Sequence, residues 1–205
     1  ELSAISTLAD EDGIDTATVS YQWYRDQIEI SGATGSSYTL NQADVGSKLA
    51  VKKSYTDNFS NDHSVTSLAT DVVSNINDAP TGGITISGTA TEDQELSAIS
   101  TLADEDGLGT LNYQWKADGV DISSATSNTF KLGQSEVGKA ITIAVSYIDD
   151  SGTAESLTSA ATSVVANVND NPTGLVTVTG TTIEGNVLTA ISTLADEDGL
   201  GTLNY

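Results

Sequence analysis

The sequence contains no cysteine and no methionine, and only seven of its 205 residues are lysine or arginine. The absence of cysteine excludes disulfide bonds and thiolate chemistry, so a small extracellular domain would need another staple, such as a metal ion. Seven basic residues against 29 acidic ones give a net charge of −22. Because nucleic acids and anionic lipids are bound by clustered Lys and Arg, we expect neither as a partner.

Two further absences narrow the functional classes. No apolar run approaches the roughly 18 residues of a membrane-spanning helix, so we expect no membrane span in this chain. His63 is the single histidine, and a nucleophilic triad needs a base beside Ser or Thr. We therefore expect His63 to be a surface loop residue, and we expect the protein not to be an enzyme.

The sequence does contain a repeat with a spacing of 92 residues. Recurring pairs are Trp23 and Trp115, Tyr55 and Tyr147, and Pro80 and Pro172. A period of this length corresponds to one small domain per copy. We predict a first copy at 1–78 that lacks its first strand, a complete second copy at 79–170, and the beginning of a third copy at 171–205. Since the chain begins and ends inside a copy, we expect it to be a section of a longer protein.

The second copy alternates short apolar-patterned segments with turn signals and shows no sustained helical periodicity. Its predicted strands are 83–87, 96–102, 111–116, 120–122, 129–132, 140–148 and 157 to about 168. Seven strands in about 92 residues, with a core tryptophan on the third, fit an immunoglobulin-like sandwich. The predicted fold class is therefore all-β, with tandem immunoglobulin-like β-sandwich repeats. Disorder is the alternative for so acidic a chain, but the alternation over 141–147 and the 38% apolar residues favour a folded one.

Acidic and amide residues gather in the same loops and linkers of each copy. In a sandwich of this topology, the incoming linker (75–78 for the second copy) and the loops at 104–106 and 149–150 lie at one pole. The turn at 92–93 lies at the opposite pole, near the outgoing linker. Ca²⁺ takes roughly 6–8 oxygen ligands, often from Asp, Asn and backbone carbonyls. We therefore predict calcium sites at the joints between copies, with a merely solvated acidic surface as the alternative.

The predicted calcium ligands fall into loops and linkers that recur along the chain. They are Asp10, Glu11, Asp12, Asp57, Asn75, Asn77, Asp78, Glu92, Asp93, Asp104, Glu105, Asp106, Asp149, Asp150, Asn167, Asn169, Asp170, Asp196, Glu197 and Asp198. Zinc is disfavoured by the absence of cysteine and the single histidine. Magnesium is disfavoured because it accepts fewer protein oxygens and keeps its water.

The linkers NINDAPTG (75–82) and NVNDNPTG (167–174), the loop LADEDG and the strand YQW resemble the tandem extender repeats of very large calcium-dependent bacterial adhesins of the RTX type. The linkers are also similar to the Asx-rich linkers of cadherins. The resemblance implies an extracellular bacterial surface protein exported by type I secretion. It further implies that the repeats form a stalk, that neighbouring repeats and calcium are the partners, and that calcium between domains stiffens the stalk beneath an adhesive tip.

Two other functions stay open at this point. One is a binding module that recognises a glycan or a protein through exposed loops, which an aromatic surface cluster would indicate. Aromatic residues make up only 5% of the sequence and fall mostly at core positions. The other is calcium-dependent homophilic adhesion, as in cadherins.

Overall fold

The computed structural model describes residues 1–202, and within them it contains β-strands and two short 3₁₀ helices but no α-helix. The chain divides into two compact units, Glu1–Asp78 and Ala79–Tyr205. No helix in the described part of the chain is long and apolar enough to cross a membrane. The antiparallel sheets of the second unit are arranged in a way that is consistent with a β-sandwich.

The first unit holds a four-stranded antiparallel sheet in the order β3-β2-β5-β6 and a short pair, β1-β4. Its strands are β1 (Leu2–Ser3), β2 (Ser20–Arg25), β3 (Ile28–Glu29), β4 (Ser37–Tyr38), β5 (Leu49–Thr56) and β6 (Asp62–Thr66). Trp23, Leu49 and Tyr55 are buried between them. A 3₁₀ helix, Gln42–Asp44, precedes β5, and its fully buried Asp44 accepts hydrogen bonds from the Arg25 guanidinium at 2.8 and 2.6 Å.

The second unit contains a four-stranded sheet in the order β10-β9-β12-β13, a three-stranded sheet in the order β11-β8-β7, and a separate pair, β14-β15. Its strands are β7 (Ile84–Ser87), β8 (Glu95–Ser100), β9 (Asn112–Ala117), β10 (Val120–Asp121), β11 (Thr129–Lys131), β12 (Ile141–Ile148), β13 (Ala154–Thr158), β14 (Val176–Thr179) and β15 (Thr189–Ser192). The 3₁₀ helix Gln134–Glu136 precedes β12.

The core of the second unit lies between its two larger sheets. Side chains alternate along β12, so that Ile141, Ile143, Val145 and Tyr147 are buried, which confirms the predicted period-two pattern. Trp115 on β9 is fully buried, stacks on Phe130 with ring centroids 5.8 Å apart, and donates its indole N–H to the Ser127 carbonyl at 2.9 Å. This strand pairing brings the loop after β8 and the loop after β12 to one end of the unit.

The predicted last strand of the second copy, 157 to about 168, is wrong in extent. The strand runs over Ala154–Thr158, and beyond it only isolated bridges form, at Val164, Val165 and Ala166. The Ser159 and Thr162 hydroxyls accept the β12 N–H groups of Ile143 and Ile141, both at 3.1 Å. Hydroxyl oxygens therefore take the place of backbone carbonyls as acceptors at this edge, while the Ser159 and Thr162 N–H groups still donate to the Ile143 and Ile141 carbonyls, both at 2.9 Å.

The third copy is represented by the antiparallel pair β14-β15. Val176 and Val178 on β14 are 61% and 67% exposed. The predicted beginning of the third strand of this copy falls on residues 203–205, which lie outside the described residues.

Candidate metal centres

Three carboxylates in the second unit are close enough to share a metal ion. One oxygen each from Glu92, Asp170 and Glu197 lies within 4.8 Å of the other two. Glu92 is only 2% exposed, Asp170 is half-buried and Glu197 is exposed. No other set of three acidic side chains in residues 1–202 reaches this spacing. The sequence predicted all three as calcium ligands at the joint between the second and third copies.

The backbone around the turn between β7 and β8 places Glu92. Its N–H donates to the Ala166 carbonyl at 2.8 Å, and its Oε2 accepts the Val168 N–H at 3.1 Å, so the turn is fastened to the linker that carries Asp170. The Gln134 side-chain amide, oriented with its nitrogen towards Glu92, donates to both carboxylate oxygens at 3.2 and 2.6 Å. In the opposite orientation its oxygen would face the same carboxylate, which is favourable only around a shared cation.

The linker also binds the loop after β15. Asn167 Nδ2 donates to Asp198 Oδ1 at 2.7 Å, and the Asp170 N–H donates to Asp198 Oδ2 at 2.8 Å. Asp196 Oδ1 accepts the Asp198 N–H at 3.0 Å, which closes the loop on itself and leaves Glu197 beside Asp170. The predicted convergence of linker, turn and loop is thus present at this joint.

Three predicted ligands of this region are engaged in other contacts. Asp93 pairs with Lys131 at 2.8 Å, Asp196 closes its own loop, and Asn169 donates to the Asp170 carbonyl at 3.0 Å. Their roles as calcium ligands stay predictions.

A second acidic cluster of the second unit lies where the loop after β8 meets the loop after β12. The Asp150 N–H donates to the Asp106 carbonyl at 3.2 Å, and a side chain at Gly107 would collide with the Asp150 carboxylate, since its Cβ would lie 2.2 Å from Oδ2. Asp106 and Asp149 are 4% and 5% exposed. Glu105 is exposed. The predicted loop pairing therefore occurs.

Asp104 and Asp149 differ in how their oxygens are used. Asp104 Oδ2 accepts the Tyr147 hydroxyl at 2.5 Å, and Oδ1 accepts the Asp106 N–H at 2.9 Å. Asp149 Oδ1 accepts the Thr153 N–H at 2.8 Å, whereas its Oδ2 is covered and has no hydrogen-bond partner. Burial raises the pKa of the Tyr147 phenol above its usual value, and the Asp104 hydrogen bond and the charges of Glu155 and Asp149 raise it further.

The corresponding loops of the first unit are closed by protein donors. Asp10 accepts the Tyr55 hydroxyl at 2.9 Å and the Asp12 N–H at 3.0 Å, while Glu11 and Asp12 are exposed. Asp57 is 4% exposed and its carboxylate has four contacts. These are the Phe59 and Asn61 N–H groups on Oδ1, both at 2.8 Å, and Asn61 Nδ2 at 2.9 Å and His63 Nε2 at 3.2 Å on Oδ2.

The expectation that His63 lies at the surface is confirmed, since the residue is exposed, but the expectation that it lies in a loop is wrong. His63 lies on β6, stacks on Tyr55 with ring centroids 5.3 Å apart, and contacts the buried Asp57 carboxylate. The sequence held a signal for this contact, because Asn61 and His63 become Thr153 and Glu155 in the second copy although Asp57 is kept as Asp149.

Asn75, Asn77 and Asp78 end the first unit, and their predicted approach to the second copy stays a prediction. Asn77 Nδ2 donates to the Asp78 carbonyl at 3.3 Å. Asn75 Oδ1 is covered and has no hydrogen-bond partner. In the described residues the side-chain oxygens in this condition are Asn75 Oδ1 and Asp149 Oδ2, and both belong to predicted calcium ligands.

The Asp57 contacts predict a pH dependence. Hydrogen bonds from the Asn61 backbone and side chain, together with His63, lower the pKa of Asp57 to about 2, against about 3.9 in unfolded chains. A folded-state pKa below the unfolded one adds stability that is present above about pH 4 and is lost as the pH falls towards 2. We expect the stability difference between the parent and Asp57→Asn to shrink over this range in urea titrations at fixed pH. Asp62→Asn, with one Thr56 hydroxyl donor, is the matched control, and a difference independent of pH would contradict the prediction.

No protein-family profile matches the sequence, and a comparison with curated proteins finds no match.

Proposed function

We propose that this chain is a section of the stalk of a bacterial surface adhesin, built from tandem immunoglobulin-like repeats and stiffened by Ca²⁺ bound at the joints between them. The observation that carries the proposal is the cluster of Glu92, Asp170 and Glu197. Its members come from a turn of the second copy, the linker, and a loop of the third copy. An ion held by all three ties one repeat to the next.

The chemistry of the cluster fits calcium better than other common metals. The clustered side chains offer carboxylate oxygens, and the linker adds Asn side chains and backbone carbonyls. Calcium takes such oxygen ligands in flexible geometry, whereas zinc prefers nitrogen and sulfur. These residues would hold the ion, which would supply charge neutralisation and a cross-link.

The mechanical role follows from restraining the linker. Each linker residue has two soft backbone dihedrals, and an ion bound by residues on both sides limits the bending that they allow. The net charge of −22 makes a chain without bound cations repel itself. An extracellular location, where free calcium is abundant, and export by type I secretion belong to this proposal.

Small-angle X-ray scattering of the 205-residue chain tests the proposal. We expect the scattering profile to indicate a narrower range of conformations and a larger mean maximal dimension in millimolar calcium than in excess chelator. Glu92→Gln combined with Glu197→Gln should reduce this difference, whereas Glu184→Gln, the same change at the 92-residue equivalent of Glu92, should not. Identical profiles with calcium and with chelator would contradict the proposal.

A further inference from the structure

The first and second copies treat one buried aspartate in opposite ways. Asp57, at the end of the longest strand of the first unit, has each carboxylate oxygen satisfied by two donors. On Oδ2 these donors are the Asn61 side-chain amide and the His63 ring. This oxygen is therefore closed by protein groups alone.

Asp149 takes the equivalent place at the end of β12 and is equally buried, at 5% exposure. Thr153 replaces Asn61 and Glu155 replaces His63, so both side-chain donors to Oδ2 are lost. The backbone bond to Oδ1 is kept, from the Thr153 N–H at 2.8 Å. Oδ2 remains covered without a hydrogen-bond partner. Burying an acceptor without a hydrogen-bond partner destabilises the fold, and more so when the acceptor is charged. A cation or a hydrogen-bond donor bound at Oδ2 would remove this destabilisation.

The surroundings of Asp149 are acidic. Glu155 is half-buried and directly opposite Tyr147 in the β12-β13 register, so the two side chains share a face of the sheet. Asp104 accepts the Tyr147 hydroxyl from the neighbouring loop. The ion pairs found in the described residues of the second unit join Lys116 to Asp121 and Lys131 to Asp93, so neither Asp104 nor Asp149 takes part in one.

We propose that Asp149 and Glu155, with Asp104, form a divalent-cation site inside the second repeat, and that Asn61 and His63 close the equivalent place in the first. Only the identity of the ion, Ca²⁺, rests on the proposed function. The three carboxylates do not meet the 4.8 Å spacing of the Glu92 cluster, so binding draws the two loops together or recruits water and backbone carbonyls as further ligands. The copies then differ in calcium capacity although they share a fold pattern.

Exchanging the residue pairs Asn61/His63 and Thr153/Glu155 between the two copies tests this site. Each variant then carries residues that the other copy already has at the same positions. Calcium stoichiometry is measured on the whole 205-residue chain by equilibrium dialysis. Thr153→Asn with Glu155→His is expected to bind one Ca²⁺ fewer per chain than the parent. Asn61→Thr with His63→Glu is expected to bind one more. Glu29→His, which makes the same type of change on exposed β3, is the matched control and should keep the parental stoichiometry. Circular dichroism confirms that each variant is folded.

The outcomes separate this site from the proposed function. Parental stoichiometry in both exchange variants would overturn the site inside the repeat. If Glu92→Gln with Glu197→Gln still lowered the calcium stoichiometry in that case, the site formed by Glu92, Asp170 and Glu197 would be supported although the site inside the repeat was not. A parent chain that binds no calcium would overturn both. Loss of one ion in the first exchange and gain of one in the second would support the site and show that Asn61 and His63 block it.

Discussion

Replacement of Trp115 by alanine is expected to destabilise the second unit by about 3–5 kcal/mol, the usual cost of truncating a buried tryptophan. The side chain is fully buried, packs on Phe130 and satisfies the Ser127 carbonyl. Its loss leaves a cavity between the two sheets and an unsatisfied carbonyl. Since a domain of this size is stable by only about 5–15 kcal/mol, a large part of the margin is removed. Urea unfolding followed by circular dichroism measures the shift.

The variant leaves Trp23 as the sole tryptophan, so its fluorescence reports on the first unit. We expect the Trp23 transition to stay close to the parental midpoint while the circular dichroism transition of the second unit moves to lower urea. Val120→Ala, at a 71% exposed position of the same unit, is the matched control; surface changes of this kind usually alter stability by no more than about 0.5 kcal/mol. Equal midpoints for Trp115→Ala and Val120→Ala would contradict the assigned core.

The sequence predicted the parts of the fold that depend on side-chain periodicity. Ile141 to Tyr147 alternate as expected, and Trp115 fills the core, because burial on one sheet face imposes a period of two on the chain. The last strand was misjudged because Ser159 and Thr162 look like ordinary strand residues in a sequence. Only the structure reveals that their hydroxyls, and not their carbonyls, accept the N–H groups of β12.

The sequence predicted which acidic loops and linkers would gather at the candidate site, but not which of their side chains would be free of other contacts. The approach of Glu92 to Asp170 follows from strand direction, since the turn after the first strand and the outgoing linker share a pole. Local hydrogen bonds decide which acids remain available. Asp93 forms an ion pair with Lys131, and Asp57 is hydrogen-bonded by Asn61 and contacts His63. A sequence pattern does not show which of several nearby side chains will contact a given acid. The informative signal lay in differences between copies, above all Glu155 in place of His63.

Removal of the charges at Glu92 and Glu197 is expected to lower the stability of the protein in calcium and to leave it unchanged or raised in chelator. In calcium at about 100 times Kd, a bound ion adds about 2.7 kcal/mol to the free energy of unfolding, and Glu92→Gln with Glu197→Gln loses this gain. In chelator the three carboxylates repel one another, so the same variant should equal or exceed the parent in stability. The glutamine that replaces Glu92 keeps an oxygen to accept the Val168 N–H, so the change removes charge with little loss of packing. Differential scanning calorimetry with calcium and with chelator measures both signs.

Glu184→Gln separates this effect from a general loss of negative charge. Glu184 is the 92-residue equivalent of Glu92, is exposed, and lies outside the cluster. It should keep the full calcium-induced rise in Tm, while the double variant shows a smaller rise that reflects the remaining sites. If the calcium-induced rise in Tm fell by the same amount per removed charge in both variants, the ion would act by screening the acidic surface and not by joining the linker to its neighbours. A larger loss per removed charge in the double variant requires a bound ion, since screening depends on net charge and not on which carboxylates carry it.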